Sequence, residues 1–228
     1  MKDSVIKVGG LFSLFGGLAF VGVFTYLAVY FNYPDILDGD AYQVLPKLVA
    51  GGSEMRTIWA IYAFLPLVLI PAGLGSYAYL KERNHSLALG GLLFATVAAL
   101  ANMLGLMRWP SIHWILAEGF ASSTAEQQAT IDAVFQGLNV YLGNYIGEFL
   151  GEITLNAWFL TIGLILCRVE GKIRYFGFFA LLTAVLGFIG AFRNVTSAVS
   201  MVSEINNSLL PVFLVALGIL LIRAKKAA

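Results

Sequence analysis

Charged side chains are scarce in this sequence. Lysine, arginine, aspartate and glutamate make up 12% of its 228 residues, about half the share of an ordinary soluble domain. With so few ions to hold a surface in water and a mean hydropathy of +0.83, the lipid bilayer is the expected solvent. Cysteine occurs once, as Cys167, which rules out an intrachain disulfide and any zinc centre built from several thiolates. A formal net charge of +1 leaves no basic surplus for tracking phosphates, so no nucleic-acid partner is expected. No long polar stretch interrupts the chain, and residues 1–228 read as a single transmembrane domain. Also missing are a serine–histidine–acid constellation, a phosphate-cradling glycine loop and a dinucleotide fingerprint. No cofactor is expected.

What is present is a series of long apolar runs. A helix needs about 20 such residues to cross the hydrocarbon core. Segments of about 9–31, 57–80, 86–107, 137–167, 174–192 and 207–223 meet or approach this. They predict an all-α polytopic membrane helix bundle of six transmembrane helices. The first run is too long for a signal-peptide core of about 7–15 residues. The sixth is strictly apolar only from Leu209 to Ile222 and is expected to extend back toward Ser197. Pro66 and Pro71 fall within the second span and predict a packing kink or a hinge.

Orientation follows from lysine and arginine, which cytoplasmic loops retain. Six crossings place Lys2, Lys7, Lys81, Arg83, Arg168, Lys172, Arg174, Arg223, Lys225 and Lys226 on one face, against Lys47, Arg56, Arg108 and Arg193 on the other. Ten against four predicts that the N and C termini are cytoplasmic. In the first outer connection, Ala41, Val44, Leu45, Leu48 and Val49 recur at helical spacing, as in a short helix lying on the membrane surface. Pro46 interrupts the pattern, so a bent turn is the alternative. Trp109-Pro110 is expected to break the third span. Ser122 or Ser123 is expected to cap a helix leading into the fourth, which would protrude outward by several turns.

The fourth span carries the strongest chemical signal. Asn144, Glu148, Glu152 and Asn156 stand at every fourth position and form one polar stripe. Gly143, Gly147 and Gly151 repeat at the same interval, about 100° around the helix, and make a helix-packing groove. Carboxylates inside a membrane face a partner, an ion or water. At about 1.5 Å of rise per residue, Glu152 lies about 24 Å and Glu148 about 30 Å above Arg168; Arg193 lies about 28 Å above Arg174, and Arg108 slightly above roughly 35 Å from Arg83. Two acids and two arginines thus share the outer half. Arg193, and secondarily Arg108, are expected to pair with Glu148 and Glu152, with Asn102 and Asn156 as further polar lining. A buried charge lock and a ligand pocket both fit this pattern. His85 and His113 fall on opposite faces and cannot share a haem iron. His113, beside Trp114, reads as an interfacial polar anchor, and Asp35, Asp38 and Asp40 as a solvated acidic loop. No metal centre is expected.

Several segments together resemble a bacterial membrane family catalogued as domain of unknown function 4386. They are Phe31-Asn32-Tyr33-Pro34-Asp35-Ile36-Leu37, Leu106-Met107-Arg108-Trp109-Pro110, and Gly143 through Glu152. The resemblance implies six helices and a bacterial inner membrane, with no assigned chemistry. The leading expectation is a non-enzymatic protein in the lipid bilayer that binds a small ligand, ion or lipid headgroup in an outward-facing polar pocket, for transport or sensing. One alternative is a structural or accessory subunit packed on a membrane protein partner or in a homo-oligomer. Another is a membrane-embedded hydrolase or transferase using Glu148 or Glu152 as acid or base.

Overall fold

In the computed structural model of the protein, the residues described are 2–224. Lys225 and Lys226, counted above as cytoplasmic, lie outside them. The described residues contain no strand. The long helices, in chain order, are α1 (Lys2–Phe31), α2 (Ala41–Ala50), α3 (Gly52–Leu80), α4 (His85–Phe120), α5 (Ala125–Leu166), α6 (Ile173–Asn194) and α7 (Ser197–Arg223). All but α2 are long and apolar enough to cross a membrane, giving the six expected spans. The sixth reaches back to Ser197.

Each spanning helix packs on its chain neighbours and α7 packs on α1, closing a ring. Small residues set the closest approaches. A Cβ on Gly9 would strike the Gly75 backbone, and one on Gly10 the carbonyl of Gly218. The ring centre is filled by Trp158, Phe159 and Phe213, with Phe159 and Phe213 centroids 4.0 Å apart. Trp158 Nε1 donates to Ser76 Oγ at 3.0 Å, which satisfies an indole in the apolar interior. In its most apolar stretch α5 is 67% buried against 22% for α1. The helix with the acids is therefore the inner one, where lipid is farthest away.

A second core fills the half of the bundle away from the termini, where Trp59 stacks on Trp109 at 4.7 Å. Here the structure corrects three expectations. Trp109-Pro110 does not break the third span. The helix widens into a π turn over Trp109–His113 and continues to Phe120. Carbonyls loosened there are taken up: Ser111 Oγ donates to Met107 O, and Arg56 Nε donates to Pro110 O at 3.1 Å. The cap leading into the fourth span is Thr124, in a capping box with Gln127. Ser122 and Ser123 instead donate back to Gly119 O of the preceding helix.

The third correction concerns α2. It is a helix despite Pro46, started by Asp40 accepting from Gln43 N. Its face of Ala41, Val44, Leu45 and Leu48 is buried in protein instead of lying on lipid, because α2 packs on the ends of α4 and α5 that lie away from the termini. Asp132 of α5 accepts from Ala41 N at 2.8 Å and holds the cap in place. In α3, the helix narrows to a 3-10 turn over Leu65–Val68 at Pro66.

Candidate functional site

The polar stripe lies on an unusual stretch of α5. Asn139–Leu150 is π-helical, twelve residues with the wider i→i+5 bonding, and α-helix resumes at Gly151. In a pure α-helix each four-residue step over-rotates by about 40°. The wider turns rotate less per residue and counter that drift, so Glu148 and Glu152 both meet the top of α6.

Arg193 reaches them from a 3-10 turn, Ala191–Asn194, that ends α6. Its Nη1 donates to Glu152 Oε2 at 2.6 Å and its Nη2 to Glu152 Oε1 at 2.7 Å, a two-pronged pair. Nη2 also lies 3.0 Å from Glu148 Oε2. Asn194 Nδ2 donates to the same Glu148 oxygen and to Asn144 O, each at 3.0 Å. Side-chain exposure is 11% for Glu152, 20% for Arg193 and 27% for Glu148. Glu152 is enclosed and fully engaged, while Glu148 sits at the open side.

Arg108 is placed differently from the expectation. Its Nε donates to Asn139 Oδ1 at 3.1 Å and its Nη1 to Gly105 O, and its guanidinium stacks 5.1 Å from the Trp109 ring centre. Among the described residues no carboxylate forms an ion pair with it. The reason is the face it takes: the guanidinium fills the space left by the missing Cβ of Gly143, on the side of α5 that meets α4 and not on the side that carries the acids. Asn139 Nδ2 continues the chain of bonds to Leu37 O at 3.1 Å, tying α4, α5 and the first outer connection together.

The glycine face thus serves α4. Gly143 receives Arg108, the Gly147 backbone meets the Gly105 backbone, and Gly151 receives the Asn102 carboxamide. Asn102 donates to its own helix at Ala98 O and packs on Gly151 rather than lining a space beside the acids. Asn156 donates to Glu152 O at 2.8 Å and packs over Gly187 of α6. The constellation therefore divides in two: acids with Arg193 toward α6, glycines with Arg108 and Asn102 toward α4.

Tyr33, in the connection after α1, lies within electrostatic reach of both parts. Burial pushes its hydroxyl above the usual phenol range, and the Glu148 charge adds to this. A hydrogen bond with Tyr62 and the charges of Arg108 and Arg193 oppose the shift. His113 is not an interfacial anchor. It is fully buried between Trp109 and Phe135, with ring centroids at 4.8 and 4.6 Å, and neither ring nitrogen has a partner among the described residues. The π turn is what rotates it inward. Of the acidic loop, Asp40 serves as the α2 cap.

Two residues of the site escaped the sequence reading. Asn139 stands four positions before Gly143 and continues the glycine stripe that meets α4. Asn194 lies outside the fourth-span pattern, at the end of the fifth span, and its side chain engages Glu148 and Asn144.

No curated protein and no solved structure shows significant similarity to this chain. The family profile described as Domain of unknown function (DUF4386) matches residues 9–223. That match covers all six spans and both halves of the constellation, and this integral membrane protein belongs to that family.

Proposed function

We propose that this chain is a non-enzymatic protein of a bacterial inner membrane, with both termini cytoplasmic, that binds a small ligand through a cationic group at Glu148. One observation carries the reading: two carboxylates share a single guanidinium. Arg193 contacts both acids, Arg108 is engaged by Asn139, and Glu148 is the more exposed of the two carboxylates. Such a charge near a membrane recruits a cation, whether an inorganic ion or an ammonium group, including one on a lipid headgroup. Transport and sensing share this binding step.

The experiment is a thermal-unfolding titration of the detergent-purified chain with ethanolamine and choline chloride. A saturable rise in unfolding temperature that vanishes in Glu148→Gln supports the reading. No rise, or a rise that survives the substitution, refutes it. Orientation is tested through Cys167, the sole cysteine, half-buried at the end of α5. A membrane-impermeant maleimide should label it in inverted vesicles and spare it in intact cells.

The enclosed, two-pronged Glu152–Arg193 pair favours a second reading, a structural or accessory subunit in which the pair is only a lock. A stoichiometric membrane partner in mild-detergent purification, with no response to either amine, would select it.

A further inference from the structure

Beneath the ion pair, three buried oxygens have no hydrogen-bond partner among the described residues: Asn156 Oδ1, Ser203 Oγ and Asn206 Oδ1. Their residues are 0%, 2% and 1% exposed. They come from α5 and α7, and Asn156 and Ser203 both pack against α6. The Asn156 carboxamide occupies the space over Gly187, and the Ser203 backbone occupies the space over Gly190. Gly187 and Gly190 are neighbours on one face of α6, about one turn apart. Because α7 runs antiparallel to α6, moving from Ser203 to Asn206 descends the same turn as moving from Gly190 to Gly187. Asn206 is therefore level with Asn156, on the opposite side of the glycine face.

The Asn156 amide has one sensible orientation. Its Nδ2 donates to Glu152 O at 2.8 Å, and reversing the group would set oxygen against oxygen. Its Oδ1 is thus the end directed at the α6–α7 interface. Within a bilayer no solvent reaches such groups, and an unpartnered polar atom there is strongly disfavoured.

We propose that Asn156, Ser203 and Asn206 form a binding site for a small alkali cation, Na+ in the first instance, enclosed between α5, α6 and α7. The donor set selects the ion class. Three uncharged oxygens suit a hard monovalent cation, whereas Ca2+ and Mg2+ take carboxylates and transition metals take imidazole or thiolate. This site is separate from the open carboxylate at Glu148 and does not depend on it.

The test uses the full chain in detergent with Glu148→Gln as background, so that a cation at that carboxylate contributes nothing. Unfolding temperature is measured in NaCl against KCl at equal ionic strength. The expected result is a saturable stabilisation specific to Na+, weakened about tenfold in midpoint concentration by Ser203→Ala and abolished by Asn206→Leu. Ser203→Ala removes one oxygen with little change in volume, so it reports even where Asn206→Leu fails to fold. Broadening of the 23Na resonance by the folded protein, lost in Ser203→Ala, is the direct reading of the same event. Equal unfolding in the two salts, or a Na+ effect untouched by Ser203→Ala, would overturn the proposal and leave the oxygens to an ordered water. The amine titration at Glu148 is a separate measurement, so either site can fail alone.

Discussion

Replacing Glu152 by Gln should destabilise this protein far more than replacing Glu148, although both acids touch the same arginine. Glu152 accepts both prongs of Arg193, at 2.6 and 2.7 Å, with 11% of its side chain exposed. Gln keeps one acceptor and turns the other into a donor facing a donor. The loss is one charge-assisted bond, worth about 1.5–3 kcal/mol, below the about 3–5 kcal/mol of a broken buried pair because Arg193 retains Glu148. At roughly 2–4 °C per kcal/mol for a chain of this size, unfolding should fall by about 3–12 °C. Glu148 holds Arg193 through one longer contact of 3.0 Å and is 27% exposed. Its loss should cost about 1 kcal/mol or less, the scale of an accessible ion pair. The assay is apparent unfolding temperature at fixed scan rate in one detergent, since membrane proteins seldom unfold reversibly. Adding Arg193→Gln to Glu152→Gln should cost less than the sum of the two singles, with a coupling above about 1 kcal/mol. Equal losses for Glu148→Gln and Glu152→Gln, or additivity of the Glu152 and Arg193 changes, would refute the two-pronged lock.

Three further outcomes follow from the same geometry. Gly105→Ala places a Cβ 2.5 Å from the Gly147 Cα and 3.0 Å from Leu142 O, so α4 and α5 must separate; a loss of about 1–3 kcal/mol is expected, read as reduced unfolding temperature and reduced yield of monodisperse protein. His113→Phe should be neutral or stabilising, because it removes two buried unpartnered nitrogens while keeping contact with Trp109 and Phe135; a loss of several degrees would show that the imidazole has a partner. Tyr33, whose hydroxyl is held above the ordinary value of 10.0, contributes stability that is complete below that value and lost as pH rises through the higher folded one. Tyr33→Phe should therefore flatten the alkaline decline in unfolding temperature, measured from pH 9 upward (about one unit below the free phenol); an unchanged slope would contradict the burial argument.

Membrane residence, span number and the acid-bearing helix were legible because each rests on local composition: hydrocarbon demands about 20 apolar residues per crossing, and intramembrane carboxylates stand out against them. Arg193 was found because rise per residue fixes depth once a helix end is known. Arg108 was at nearly the right depth and still finds no acid, since depth says nothing of which face a side chain takes. The π-helical stretch Asn139–Leu150 and the π turn Trp109–His113 re-aim Asn139, Arg108 and His113. At Trp109–His113 the loosened carbonyls are met by Ser111 within the turn and by Arg56 of the second span. In the same way α2 has the amphipathic pattern of a surface helix, and only the ends of α4 and α5 away from the termini determine that its apolar face meets protein. Apolar length and residue spacing, properties of the chain alone, determined six membrane helices and a polar inner one. The rotation of each helix about its axis, and hence the division of four charged residues into an ion-pair lock and a solitary buried arginine, was decided by packing and hydrogen bonds between segments distant in sequence.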